Sequence, residues 1–328
     1  MTALLTAATS AGVGIGGTTG KVTVDGVPVF VKRVPLTDLE RRPEHIGSTA
    51  NLFQLPTFYQ YGIGSAGFGA WREVAVHTMT TRWVLENRFH GFPILYHWRV
   101  LPRPPEPIEP AELERSVTHW EGSAAVRARL TAISKSSATV ALFMEHIPHT
   151  VDSWLTAQTA PSAYSSVDRG LRAGVNFMGS QGLLHFDAHF RNLLTDGHRV
   201  YFADFGLAMH SGFDFSAAES AFFRRHSTYD PCYTATHVTQ WLINKLLGIP
   251  WADCHDFISN HGIGRDCIDL PEPAARIVAR HRPVAVVMGS FFSDLQNVSK
   301  RLPYPARELS QALAVAEQSA DVAGDGGA

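Results

Sequence analysis

The stretch from Leu183 to Gly206 places polar side chains at fixed points around a predicted β-hairpin. Two short apolar runs are separated by Asp196-Gly197, a dipeptide typical of tight turns between paired strands. Asn192 comes just before the first run and Asp204 just after the second. Because a hairpin returns the chain to its starting end, both side chains are predicted to emerge together.

The polar groups at this end of the hairpin predict phosphate chemistry. A carboxylate and an amide oxygen are ligands that Mg²⁺ accepts, so Asn192 and Asp204 are candidates for holding metal ions that bridge nucleotide phosphates. Asp187, slightly earlier in the chain, could accept the proton of an attacking hydroxyl. The alternative is a solvated loop followed by an aspartate at the end of a strand.

The chain before Pro148 is rich in predicted strands. Val22–Val24 and Val27–Val34 are β-branched runs joined by Asp25-Gly26, which predicts an antiparallel hairpin. A helix is predicted over Trp71–Asn87, because apolar and polar residues mix over several turns without Pro or Gly. Further strands are predicted at residues 92–101 and 138–147, and a single inserted helix at residues 111–134.

The chain after Pro148 is predicted to be mostly helical. Apolar residues recur at helical spacing over residues 167–178, 234–247, 273–281, 284–298 and 306–320. The last residues, 321–328, are small and polar and are predicted to form a flexible tail. The two halves together predict an α+β protein with one domain over residues 1–148 and a second over residues 149–320.

Composition restricts the class of partner and the compartment. The formal net charge of −2 gives no electrostatic reason to expect nucleic acid as a partner. The sequence lacks a signal-peptide pattern and a run of about 18 apolar residues, so no membrane insertion is expected. Three cysteines are too few for a disulfide framework and favour a reducing, cytoplasmic compartment.

Two motifs in the second half resemble those of the protein kinase superfamily. The segment HFDAHFRN, residues 185–192, is similar to the catalytic loop HRDxxxxN, and Asp204-Phe205-Gly206 is an intact DFG. The resemblance implies a bilobal protein-kinase-like fold, with a small antiparallel β-sheet and one main helix in the N-lobe and a mostly helical C-lobe. His189 also matches the HGDxHxxN loop of aminoglycoside phosphotransferases.

The resemblance implies phosphate-binding roles near the amino terminus. Gly12, Gly14 and Gly17 satisfy GxGxxG before the first predicted strand, and a Gly-rich loop of this kind covers the ATP phosphates in kinases. The alternative is a merely flexible amino terminus. Lys32, within VFVKRV, would pair with the α- and β-phosphates, unless Lys32 or Arg33 simply faces solvent.

Two further positions complete the implied nucleotide site. Glu73 on the predicted helix would pair with Lys32, with Glu86 on the same helix and an ordinary surface carboxylate as the alternatives. The strand ALFMEHI resembles the kinase hinge, although a purely structural core strand would have the same pattern. In the hinge interpretation, adenine contacts Met144 and the backbone near Glu145, His146 and Ile147.

Two features depart from the kinase pattern. Phe186 stands where the Arg of HRD is expected, so a phosphate on the following segment would lack its usual guanidinium partner. No APE motif follows the DFG, and its nearest match is Ala218-Glu219. These departures favour a pseudokinase that acts as a binding or scaffold protein, whereas the filled lysine and metal positions favour an enzyme.

The sequence therefore predicts a kinase that transfers the γ-phosphate of ATP to a hydroxyl, with Mg²⁺ as its metal. Lys32, Glu73 and Asp187 are the predicted catalytic residues, and Asn192 and Asp204 the predicted metal ligands. A protein serine or threonine is the favoured acceptor, and an aminoglycoside-type small molecule is the alternative. Insertions at residues 35–69 and 103–137 have no role implied by the motifs.

Overall fold

The computed structural model describes residues 9–14, 17–260 and 270–324. The chain forms two compact units. One contains the described residues up to Pro148 together with residues 185–187 and 201–222, and the other contains residues 149–184, residues 188–200 and the described residues from 223 onward. The break after Pro148 lies where the sequence predicts a domain boundary. Residues 185–187 and 201–222, however, join the first unit rather than the second. The fold is mixed α/β, with small antiparallel sheets and several helices.

A five-stranded antiparallel sheet is the centre of the first unit, in the order β1-β2-β3-β5-β4. Its strands are β1 Thr9–Gly14, β2 Gly17–Val24, β3 Val27–Leu36, β4 Leu95–Pro102 and β5 Ala138–Glu145. Asp25 and Gly26 join β2 to β3 with φ of 50° and 82°, the left-handed conformations that a two-residue hairpin turn requires. The predicted hairpin is confirmed, and β1 is a strand that the sequence did not predict.

Helix α1, Ala70–Leu85, contributes to the core of the first unit and confirms the predicted helix. Trp71 and Val74 of α1 share a buried apolar cluster with Val140 and Leu142 of β5. Because β5 lies between β3 and β4, most of its residues are buried. The sheet and α1 therefore hold their facing residues at fixed positions.

The two insertions lie in the first unit. Beyond the end of β3 at Leu36, the insertion at residues 35–69 forms only two short 3₁₀ turns, Pro43–His45 and Thr57–Gln60. Residues 103–137 form two helices, α2 Pro110–His119 and α3 Ala124–Lys135, so the prediction of a single helix is wrong. The chain breaks at Glu121 and Gly122, which have positive φ, and Ser123 then caps α3 by accepting from the N–H of Val126.

The remaining elements are mostly helices of the second unit. They are β6 His149–Thr150, α4 Val151–Ala157, α5 Ser162–Ser180, β7 Leu183–Leu184, β8 Leu193–Thr195, β9 Val200–Phe202, β10 Met209–His210, α6 Ala217–Arg225, α7 Tyr229–Leu247, α8 Cys254–Asn260, α9 Glu272–Asn297 and α10 Ala306–Gly324. Strand β8 pairs with β6 in antiparallel register. The predicted strands at 193–194 and 200–202 are confirmed, and Asp196 accepts from the N–H groups of His198 and Arg199 in the turn between them.

Three differences from the predicted helices have local causes. Helix α9 continues through Pro283, where two helices were predicted, because His281 and Val284 on either side are buried and hold the segment in place. Helices α4, α6 and α8 were not predicted, since they are too short to show a helical period. Helix α10 extends to Gly324, past the start of the predicted tail, and residues 325–328 lie outside the described residues.

Among the described helices, none combines the length and apolar character needed to cross a membrane. Cys232 and Cys254 are buried free thiols, and Cys267 lies outside the described residues. Burial raises the pKa of the Cys232 thiol to about 12 and that of the Cys254 thiol to about 11. Both thiols are therefore protonated and poorly reactive near neutral pH.

Candidate active site

Lys32 lies in the middle of β3 and points into the first unit. It pairs with Thr19 of β2 and Leu142 of β5 across the sheet, and only 4% of its surface is exposed. The interpretation that Lys32 faces solvent is therefore wrong. An ammonium this deeply buried requires anionic partners.

Two carboxylates supply these partners. The Nζ atom of Lys32 donates to Glu73 Oε1 at 2.6 Å and to Asp204 Oδ1 at 2.7 Å. Glu86, the alternative partner at the carboxyl end of α1, instead pairs with Arg82 at the surface. The structure thus brings together three of the predicted site residues, and it selects Glu73 over Glu86 as the partner of Lys32.

The protonation states at this cluster follow from burial and charge. Burial alone would lower the pKa of Lys32, but Asp204 and Glu73 outweigh it and raise that pKa well above its ordinary value. Burial would likewise raise the pKa of Asp204, yet the charge and hydrogen bond of Lys32 lower it to about 2. The lysine is a cation and Asp204 an anion over the whole physiological pH range.

Asp204 and Phe205 are fixed by opposite means. Asp204 has a φ of 61°, a left-handed conformation that aspartate tolerates better than most residues. Phe205 is fully buried, and its ring centroid lies 5.0 Å from the ring of His77 on α1 and 5.0 Å from that of His185. The Phe205 ring therefore ties the segment that carries Asp204 to the helix that carries Glu73.

Asp187 is positioned by His185 through the backbone. The N–H of Asp187 lies 3.3 Å from His185 Nδ1, and His185 Nε2 lies 2.9 Å from the carbonyl of Ala203. The first contact makes Nδ1 the acceptor. Nε2 therefore carries the hydrogen and donates a hydrogen bond to the carbonyl of Ala203. This buried imidazole connects the segment that carries Asp187 to the residue before Asp204.

Phe186, which stands where the kinase motif has an Arg, lies in an apolar core site. Its side chain is fully buried and stacks on Phe222 with ring centroids 5.7 Å apart. The ring of Tyr61 packs against the ring of Phe222, with the two centroids 5.7 Å apart. The position before Asp187 is thus an apolar core site in this chain, and a guanidinium there would be buried without a partner.

The 35–69 insertion approaches Asp187 closely, which the motifs did not indicate. A side chain on Gly62 would place its Cβ in collision with Asp187 Oδ1. A Cβ on Gly67 would lie 2.5 Å from the carbonyl oxygen of Gly206, and the Gln60 amide donates to the carbonyl of Leu207. Only an unusual density of glycine in residues 62–69 could have signalled this close backbone approach.

Asn192 belongs to the second unit. Its N–H and that of Leu193 both donate to the carbonyl of His189, at 2.9 and 3.1 Å, so it ends a tight turn immediately before β8. Phe190 anchors this turn, because its ring packs on His237 and its N–H lies 3.1 Å from His237 Nε2. Sequence reasoning did not find His237.

The predicted glycines lie in the paired strands β1 and β2 rather than in a loop before the first strand. Gly12 and Gly14 belong to β1, Gly17 begins β2, and Gly14 pairs with Gly17 across the strands. Gly17 has a φ of 134°, and a Cβ there would collide with the carbonyl of Arg33. A glycine is therefore required at residue 17 for both backbone conformation and space.

The predicted hinge begins at the end of β5. Met144 is buried in the apolar cluster of the sheet. The N–H of Glu145 donates to the carbonyl of Ile94 at 2.8 Å, so it is already engaged within the protein. His146 and Ile147 follow the strand directly. The adenine contacts predicted for Met144 and for the backbone near Glu145, His146 and Ile147 stay predictions.

A second buried ionic cluster lies in the second unit. Asp168 on α5 accepts from His281 Nε2 at 2.6 Å, and Arg172 and Arg280 each donate to it at 3.1 Å. Burial alone would raise the pKa of Asp168, but these three groups lower it. The cluster borders a pocket of about 230 Å³ between α5, α7, α9 and α10. No sequence pattern indicated this cluster, since Asp168 and His281 are far apart in the chain.

Within the described ranges, no group of three or more His, Cys, Asp or Glu side chains is arranged to hold a metal ion. Comparison of the sequence with protein-family models and with curated proteins finds no match.

Proposed function

We propose that this chain is an ATP-dependent phosphotransferase with the bilobal fold of the protein kinases, and that it transfers the γ-phosphate of ATP to a hydroxyl. The observation that carries the proposal is the buried Lys32 ammonium held between Glu73 and Asp204. In kinases a strand lysine, a helix glutamate and the aspartate of DFG form the phosphate and metal site. Burying the ionised Lys32 and Glu73 is costly, so a site of this kind points to a use for the charges.

The residues at the cluster fit Mg²⁺ and ATP. An ammonium has three N–H donors, and two carboxylates take two of them in the described part of the chain, which leaves one for a phosphate oxygen. The side chain of Asp204 is 44% exposed, so its carboxylate retains an open side for a metal ion. When bound, Mg²⁺ and ATP supply the phosphoryl group and the positive charge that offsets the charge developing on it.

Each residue has a role that its surroundings support. Lys32 holds phosphate oxygens, and Glu73 keeps the ammonium in place. Asp187 orients the acceptor hydroxyl and takes its proton, with its backbone held by His185. Asp204 holds the metal with its exposed side, and Asn192 stays a metal ligand predicted from the sequence.

The acceptor stays a prediction from the sequence, with a protein serine or threonine favoured and a small hydroxyl compound as the alternative. A scaffold protein with this fold is expected to have lost an ionisable position, and here all the matching positions are filled. We place the reaction in the cytoplasm, where the buried free thiols Cys232 and Cys254 stay reduced.

Thermal unfolding with and without ATP and Mg²⁺ tests this proposal. A ligand at 100 times its Kd stabilises the folded state by about 2.7 kcal/mol, so we expect a clear upward shift in Tm that requires both components. Lys32→Met and Asp204→Asn are expected to abolish the shift, whereas Asp187→Asn is expected to retain it and to lose turnover.

Matched substitutions at the surface control for nonspecific effects. Lys135→Met and Asp25→Asn change the same residue types at exposed positions, and both are expected to behave as the parent protein. A parent protein that shows neither a Mg²⁺-dependent shift nor ATP turnover would refute the phosphotransferase assignment. Full turnover by Asp187→Asn would refute the role given to that residue.

A further inference from the structure

Helix α1 has its amino terminus fixed by the insertions. Its N-cap residue, Gly69, has no side chain to cap the helix, and Glu40 Oε1 accepts from the N–H of Ala70 at 2.8 Å instead. Glu40 is buried and also accepts from Arg129 on α3 at 2.8 Å. A carboxylate from one insertion and a guanidinium from the other thus hold the first turn of the helix.

Arg72 holds the same turn from a second direction. It is 3% exposed, its Nε donates to the carbonyl of Thr49 at 2.7 Å, and its Nη2 donates to Glu219 Oε1 at 2.6 Å. The guanidinium also lies within 6 Å of the ring centroids of Phe68, Phe213 and Phe215. Arg72 therefore connects α1 both to the 35–69 insertion and to the segment that follows the DFG.

Glu219 is prepared to receive this guanidinium. It is fully buried in the first turn of α6, and its other carboxylate oxygen, Oε2, accepts from the N–H of Ser216 at 3.0 Å and from the hydroxyl of Ser216 at 2.9 Å. Both oxygens are thus engaged, so the carboxylate has one orientation. Removing either partner of such a pair leaves the other charge buried without compensation.

Arg72 and Glu73 are consecutive residues, so the ion pair of one constrains the position of the other. Rotation of α1 that withdrew Glu73 from Lys32 would have to break the Arg72–Glu219 pair as well. In kinases, a phosphate added to the segment after the DFG often supplies the anion that holds the helix in its active position. In this chain the anion on that segment is the carboxylate of Glu219.

We propose that Arg72 and Glu219 are positioning residues, which hold α1 so that the Lys32–Glu73 pair forms without phosphorylation of the protein. The proposal rests on the phosphotransferase function proposed above. It assigns the 35–69 insertion a purpose, since Thr49 and Phe68 complete the surroundings of Arg72.

The test compares Arg72→Met, Glu219→Gln and the double variant with Arg82→Met. Arg82 is on the same helix, but its side chain is 78% exposed and its pair with Glu86 is at the surface. We expect each single substitution at the buried pair to raise the KM for ATP at least tenfold. The KM of the double variant is expected to be no higher than that of the single variant with the higher KM. Arg82→Met is expected to leave the KM unchanged.

A second readout follows Lys32 without nucleotide. Acetic anhydride labels lysine amines, and mass spectrometry gives the extent of labelling at Lys32 in the folded protein. We expect low labelling in the parent protein and in Arg82→Met, and at least a fivefold increase in Arg72→Met and Glu219→Gln. Glu219→Gln keeps the size and shape of the side chain, so it serves if Arg72→Met does not fold.

The outcomes separate the two proposals. A parent protein that does not bind ATP refutes the phosphotransferase, and the labelling pattern still reports whether Arg72 positions Lys32. A lower Tm with unchanged KM and unchanged labelling means that the buried pair is merely structural and overturns the inference. Loss of activity after phosphatase treatment of the parent protein overturns it as well.

Discussion

Phe186 and Asp204 show where individual residues are strained. Both have left-handed backbone conformations, with φ of 64° and 61°, and such non-glycine residues cost about 1–3 kcal/mol each. Aspartate tolerates the conformation, but phenylalanine does not, so burial of the Phe186 ring against Phe222 must offset the cost. Strain at two residues of one small site is consistent with a functional constraint on the direction of the neighbouring side chains.

Gly62 is expected to be essential for turnover, because its backbone approaches the carboxylate of Asp187. In Gly62→Ala the added Cβ would collide with Asp187 Oδ1. We expect kcat to fall at least tenfold while the Mg²⁺-ATP shift in Tm persists, since the Lys32 cluster is unchanged.

Gly179 provides the control for this substitution. It lies on α5 with open space where a Cβ would be, so Gly179→Ala is expected to retain full activity. Equal rates for both alanine variants would show that the close approach of Gly62 does not affect Asp187.

Local motifs determined which candidate site residues could be predicted from the sequence. Lys32, Asp187, Asn192 and Asp204 stand in recognisable short patterns, and each was predicted. Glu73 could be separated from Glu86 only by the fold. Glu40, Arg129 and Glu219 have no motif, because their importance comes from partners that are distant in sequence.

Elements with strong local signals agree best with their predictions. Asp25-Gly26 determined the β2–β3 hairpin, and the uninterrupted pattern after Gly69 determined α1. Two helix predictions were wrong. The predicted single helix over residues 111–134 breaks at Glu121 and Gly122, which have positive φ, and α9 continues through Pro283 because the residues on either side are buried. Short helices were missed since a period needs several turns to be visible.

Strand β5 is expected to dominate the stability of the sheet. Leu142 is fully buried in the apolar cluster with Val140 and Trp71. We expect Leu142→Ala to lower the free energy of unfolding by about 2–5 kcal/mol, through lost burial and a new cavity. Val27→Ala, at an exposed position of β3, is expected to change it by less than about 0.5 kcal/mol.

Urea unfolding followed by circular dichroism measures both variants. The expectation that β5 dominates the stability of the sheet would be contradicted by a Leu142→Ala protein as stable as Val27→Ala.

For the molecule as a whole, acid stability is expected to depend on His237. Burial, with the charges of His189 and Arg191, lowers the pKa of His237 to about 3. The unfolded chain binds a proton at this residue near pH 6.5 and the folded chain does not. Stability is therefore full above pH 6.5 and declines as the pH falls towards 3, by up to about 1.4 kcal/mol per pH unit.

The test compares unfolding free energies at pH 7.5 and pH 5 for the parent protein and two variants. His237→Gln keeps an acceptor for the Phe190 N–H but removes the titration, so we expect a smaller loss at pH 5 than in the parent. His198→Gln, at an exposed position of the second unit, is expected to keep the parent's pH dependence. A His237→Gln protein with an unchanged loss would rule out this residue as the cause.

The carboxylate of Glu40 has a consequence for anyone who redesigns this chain. The segment of residues 35–69 has little regular structure, and segments of that kind are usually the first to be shortened in a minimal or heat-resistant version. In this protein the same segment supplies the acceptor at the start of α1 and the anion beside Arg129. Trimming it past Glu40 would leave the Arg129 guanidinium buried without its anionic partner. A segment with little regular structure is thus required for the stability of the fold.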